Sequence, residues 1–203
     1  MKTTPLQPDQ KLFSTRRIEA ITDGVFAIAM TLLVLDLKPD MLGHATTSRE
    51  LFDALYAARS SITSFLVSFL LLGSMWAVHM RQFEYITRAD RHLTFINTLR
   101  LLAVVMIPLT TSLSGAYSSL VLGRILLPIN FAALAALGFW QWNYAKRLHQ
   151  DKLDKDIANY AAARNRVTLY IALLVIPLSV VVGELAFAAF IALPYIPSRT
   201  YRD

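Results

Sequence analysis

Asp23 stands six residues beyond Arg17 in a stretch, Arg17 to Leu37, that reads RIEAITDGVFAIAMTLLVLDL and is otherwise largely apolar. An ionisable group inside a membrane-length apolar segment is costly to keep there, so by default it marks a working site. Arg17 and Asp23 lie about 240° apart around a helix of 3.6 residues per turn, so they cannot pair along one face. Each needs a partner on another element. With a rise of about 1.5 Å per residue, Asp23 lies about 9 Å in from Arg17, and Asn97 about 9 Å in from Arg91. His79 stands two residues inside Arg81. These depths bring Asp23, His79 and Asn97 to one level, with Trp76 and Asp90 nearby. Such a cluster could staple helices together, carry ions or sense protons.

The other side of the same segment is smooth. Taking Ile28 as origin, Leu35 falls within about 20°, and Thr31 and Leu32 within about 60°, while Asp23 lies about 140° away. An acid on one side and an apolar stripe on another could form a channel wall. Such a stripe could equally face lipid or pack inside a bundle. The remaining polar groups support no metal or hydrolytic centre. His44, His79, His92 and His149 sit at unrelated depths, and there are no cysteines. Arg100 and Arg124 are not spaced every third residue along one helix, as a voltage sensor requires; they are expected to face a cavity or to snorkel. Pro108, Pro128 and Pro177 are mid-span and are expected to kink helices. A glycine-tyrosine-glycine filter loop is absent.

These residues must be positioned by an all-α membrane protein. Of 203 residues, 55% are hydrophobic and 17% charged. The apolar residues fall in six runs, roughly 18–37, 53–78, 93–114, 117–141, 164–182 and 184–197, the last one short. The net charge of +6 is a topology signal and not a nucleic-acid footprint. Lys2, Lys11, Arg16 and Arg17 precede the first run; Arg81, Arg88 and Arg91 lie between the second and third. Lys146, Arg147, Lys152, Lys155, Arg164 and Arg166 lie between the fourth and fifth, and Arg199 and Arg202 follow the sixth. The opposite connections carry only Lys38, Arg49 and Arg59. Both termini are therefore expected in the cytoplasm of a multi-pass protein of the inner or plasma membrane. No cleavable signal peptide is expected. Residues 1–15 read as a cytoplasmic arm, 16–198 as the membrane domain and 199–203 as a cytoplasmic tail. Residues 38–52 read as an outside loop, and 146–163 as a helical extension into the cytoplasm.

The first run resembles the prokaryotic branch of the transmembrane protein 175 family, potassium channels related to a lysosomal channel of animals. The family signature, Arg, three residues, then Phe-Ser-Asp, stands here as Arg17, Ile18-Glu19-Ala20, Ile21-Thr22-Asp23. Gly24-Val25-Phe26-Ala27-Ile28-Ala29 and Thr31-Leu32-Leu33 are also similar, as are Trp76, His79 and Phe83, and the series Asp90, Asn97, Pro108. The resemblance implies six helices per chain and four chains around a pore lined by the first helix. It implies an apolar constriction at Ile28, Leu32 and Leu35, with Thr31 as a polar ring for cation selection. Asp36 and Asp40 would attract cations at the outer mouth. Arg17, Thr22, Asp23, Trp76, His79, Asp90 and Asn97 would form a polar network near the inner mouth. Two positions depart from the family: Ile21-Thr22 replaces Phe-Ser, and Arg100 stands where an apolar residue is usual. A cation there could lower conductance or pair with an acid such as Asp23. The expected function is a leak-type potassium channel, with potassium ions and lipid as partners and no cofactor. The alternatives are a proton-coupled transporter relaying through Asp23 and His79, and a membrane scaffold; no enzyme is expected.

Overall fold

The computed structural model describes residues 12–38, 43–149 and 153–195; of Asp36 and residues 191–195 it describes the backbone alone. Helix α1 runs from Arg16 to Leu32 and tightens into a 3-10 turn at Leu33–Asp36. A short helix, α2 (Ser48–Ala57), precedes α3 (Arg59–Phe83). The rest of the bundle is α4 (Arg91–Ala116), α5 (Val121–Leu148) and α6 (Lys155–Val182). A 3-10 segment, Gly183–Tyr195, follows. Phe13–Ser14 (β1) pairs antiparallel with Arg88–Ala89 (β2), tying the end of the expected arm to the connection before α4.

Five helices among the described residues are long and apolar enough to cross a bilayer. The sixth expected run begins instead at Gly183, whose φ of +61° suits a residue without a Cβ. There the chain folds back: Phe187 meets Phe131 of α5 with centroids 5.6 Å apart, and Phe190 lines the same cavity as Thr168 of α6. Thirteen residues in 3-10 geometry, at about 2.0 Å each, reach further than the same number in an α-helix.

The expected outside loop at 38–52 contains the start of α2. A capping box begins this helix: Glu50 N–H donates to Thr47 Oγ1, and Glu50 Oε2 accepts from Thr47 N–H. The charged stretch at 146–163 is helical on both sides, ending α5 and beginning α6.

Helix α4 is central, packing against α1, α3 and α5. The larger core cluster joins Phe26 and Leu33 of α1 to Leu72, Val104, Ile107, Leu127 and Phe131. A smaller one at the basic end gathers Ile18, Phe83, Leu93 and Trp142. The α4–α5 connection is tight enough to demand glycine at 123, where a Cβ would lie 2.1 Å from the Tyr117 carbonyl oxygen. Arg124 closes that corner. Its Nε donates to Ser118 O at 2.7 Å, and its Nη1 to Val180 O at 2.9 Å near the end of α6. Arg124 lines a cavity there, as expected, and within it caps carbonyls at helix ends.

Candidate functional site

Helix α1 has two unlike faces. Ile18, Thr22, Phe26, Ala29 and Leu33 recur at helical spacing and are buried against α3 and α4. Phe26 and Leu33 are 1% and 0% exposed. On the other side, Ile28 and Leu35 are 60% and 63% exposed, and Leu32 and Thr31 are also uncovered. Among the described residues, nothing closes over this stripe. Thr31 Oγ1 donates to Ile28 O at 2.8 Å, so the hydroxyl hydrogen is used within the helix and the oxygen lone pairs remain.

The buried face is held by a polar chain across four helices. Arg100 Nη1 donates both to His79 Nδ1 and to Gln141 Oε1, each at 2.8 Å. Gln141 Nε2 donates to Asn97 Oδ1 at 2.9 Å, and Asn97 Nδ2 donates to Thr22 Oγ1 at 3.0 Å. The direction of every bond follows from one residue. A guanidinium only donates, so Gln141 turns its oxygen toward Arg100 and its amide nitrogen toward Asn97, which repeats the pattern toward Thr22. For the same reason His79 accepts at Nδ1 and carries its hydrogen on Nε2. All five side chains are buried. Phe83 and Phe26 flank the His79 ring at centroid distances of 4.3 and 6.4 Å.

The expected single cluster is therefore divided. Asp23 joins neither His79 nor Asn97; it is exposed, and its Oδ1 accepts from Trp76 Nε1 at 2.8 Å. Asp90 caps α4, accepting from Leu93 N–H at 2.8 Å and from the Tyr144 hydroxyl at 2.5 Å. Arg17 is exposed at the start of α1. Arg100 pairs with His79 and Gln141 and not with Asp23. Thr22 supplies the hydroxyl that the chain of bonds ends on, whereas Ile21 lies on the uncovered face, 59% exposed. Asp40 lies outside the described residues, and Asp36 is placed by its backbone alone.

Gln141 is the member that sequence reasoning misses. A lone amide in the run Phe139-Trp140-Gln141-Trp142 is a signal, because a polar side chain inside a span must find a partner there. Another missed group lies toward the opposite end of the bundle, where Ser60 and Ser64 of α3 donate to Glu184, which follows the turn at Gly183.

The chain matches a family model described as endosomal/lysosomal potassium channel TMEM175 over residues 17–108. A potassium channel of Chamaesiphon minutus is 34% identical over 154 residues, covering 73% of this chain and 74% of that protein. The chain belongs to the TMEM175 family. A second relative, a potassium channel of Streptomyces collinus, is 44% identical over 101 residues, half (50%) of this chain and 48% of that protein. The TMEM175 fold extends beyond those residues. The crystal structure of a lysosomal potassium-selective channel TMEM175 homolog from Chamaesiphon minutus superposes with a TM-score of 0.71 at 27% identity. That match covers 89% of this chain and 95% of the other.

Proposed function

We propose that this TMEM175-family protein is a potassium-permeable channel of leak type, in which copies of α1 surround the ion path. The carrying observation is the contrast within α1: one face is anchored by buried packing and a polar chain, and the stripe Ile28, Thr31, Leu32 and Leu35 is left uncovered. Both relatives are named potassium channels, and the solved neighbour is described as potassium-selective. One helix cannot enclose a pore, but a closed ring of identical copies can, and four copies are the proposed number. In such a ring Ile28, Leu32 and Leu35 form an apolar constriction, where an ion must shed water and which can gate by dewetting. Thr31 offers oxygen lone pairs at that level. Asp36 and Asp40 concentrate cations at the outer mouth. The exposed Asp23 supports the same arrangement, because a carboxylate within a spanning helix requires water or another subunit beside it. The small residues Gly24 and Ala27 let neighbouring helices approach. The setting is a bacterial inner membrane with both termini cytoplasmic.

The test is potassium flux from liposomes containing the purified, assembled protein, beside an Ile28→Asn variant. Flux that needs no co-substrate and rises in the variant is the expected outcome. Silence from both proteins would reject an open leak pathway.

A further inference from the structure

Arg100 is a buried cation whose hydrogen-bond partners, His79 and Gln141, are both neutral amide or imidazole groups. Its Nε has no partner among the described residues. A buried charge beside neutral partners is expensive, so the surroundings of Arg100 suit an anion. They contain a cavity of about 230 Å³ between α3, α5 and α6, lined by Arg100 together with Arg81 and Arg164. Arg81 uses only its Nε, toward Ala77 O at 3.3 Å, and the Arg164 guanidinium donates no hydrogen bond among the described residues. Asn165 is 8% exposed, lines the same cavity, and has an Nδ2 without a partner. Its Oδ1 accepts from Gln82 Nε2 at 3.1 Å, bridging α3 and α6 below the opening. The walls further in are apolar: Leu71, Met75, Leu134 and Phe190. A second cavity of about 220 Å³ shares Arg81, Arg164 and Asn165 and carries one acid, Glu84.

An apolar slot with cations at the basic end of the bundle has the chemistry of an amphiphile with a negative head. We propose that this cavity binds an anionic phospholipid, with its phosphate at Arg81 and Arg164 and an acyl chain along Leu71, Met75, Leu134 and Phe190. The head then supplies a counter-charge to Arg100, which has none among the described residues. The lipid thereby joins α3 to α6 beside the Gln82–Asn165 hydrogen bond.

The test is native mass spectrometry of the purified full-length protein offered equimolar phosphatidylglycerol and phosphatidylcholine. Preferential retention of phosphatidylglycerol is expected. The double variant Arg81→Gln, Arg164→Gln should reduce that preference about twenty-fivefold, the product of about fivefold for each cation near the membrane surface. Ala77→Phe, which fills the cavity and keeps every arginine, should also displace phosphatidylglycerol. The pair Arg91→Gln, Arg147→Gln removes two cations elsewhere and should change nothing; an equal loss there would overturn the site in favour of a general charge belt. Equal retention of the two lipids by the unaltered protein would also overturn it. So would retention of inorganic phosphate with no preference between lipids. A change of oligomeric mass in the first double variant with lipid preference intact would give the surface to a second copy of this chain. The readout involves no ion current, so its failure is distinct from failure of the channel proposal.

Discussion

The two faces of α1 are built largely of aliphatic residues, yet Phe26 is closed in by α3 and α4 while Ile28, two positions on, is 60% exposed among the described residues. Hydrophobicity does not separate them, since lipid, a subunit neighbour and a bundle core all accept Ile or Leu. What distinguishes the inward face is a polar residue that a neighbouring helix satisfies; Asp23 lies on neither face's centre line, about 140° from Ile28. Thr22 is met by Asn97 of α4, so its face turns inward. Asp23 is only partly satisfied by Trp76, so its side remains open to water or to another copy. In a membrane, where apolar contact between helices has no solvent driving force, hydrogen bonds and close packing set the rotation of a helix about its axis.

The sharpest way to break this comparison is to truncate both faces. Phe26→Ala should destabilise the protein by about 3 kcal/mol, the low end for a large buried side chain, because cavity and lost packing remain while transfer from water does not enter. Ile28→Ala should stay within about 0.5 kcal/mol, as for sites outside a packed core. Denaturant unfolding in detergent micelles measures both, and equal losses would mean that the stripe is packed. Next, Asn97→Leu strands the Thr22 hydroxyl and the Gln141 amide, at about 1–3 kcal/mol for each group left unpaired in the interior. Thr22→Val alone should cost less than Asn97→Leu, because it sits at the end of the chain of bonds.

A smaller effect is expected on the open side. Trp76→Phe removes one partly exposed hydrogen bond, worth about 1 kcal/mol, whereas Asp23→Asn keeps the acceptor oxygen and should cost less. A larger loss for Asp23→Asn would show that the charge and not the hydrogen bond is what α1 needs there. The smallest effect belongs to α2, outside both faces. The Thr46 backbone N–H, followed by its hydroxyl and the Thr47 groups, holds Glu50 below the ordinary carboxylate value. A depressed value in the folded state gives stability that is present above the unfolded value and lost as pH falls through the folded one. Amide exchange across 48–57 should therefore speed up at acidic pH, beyond the intrinsic rate, in the unaltered protein and not in Glu50→Gln.

Much of the framework was legible beforehand. Apolar run lengths located the five long helices. The last run was less so: it is short for a span and takes the 3-10 geometry that follows Gly183. The start of α2, at 48–52, falls in the expected loop although Thr47-x-x-Glu50 is a capping-box pattern. At the site, Asp23, His79 and Asn97 are expected at one level, whereas His79 meets Arg100, Asn97 meets Thr22 and Gln141, and Asp23 meets Trp76. Depth along a helix axis follows from counting residues. The direction a side chain points relative to another helix does not.

The amino-acid sequence by itself determined the class of protein, the basic-end topology signal, the family motif and the helical stripe from Ile28 to Leu35, because each rests on composition or on spacing within one helix. Only the tertiary structure decided that Arg100 and Gln141 connect His79 to Thr22, that Asp23 turns to Trp76, and that three arginines converge on one cavity. Those facts depend on how helices rotate and slide against each other. That choice is made by the packing of all of them at once, and no spacing within a single segment encodes it.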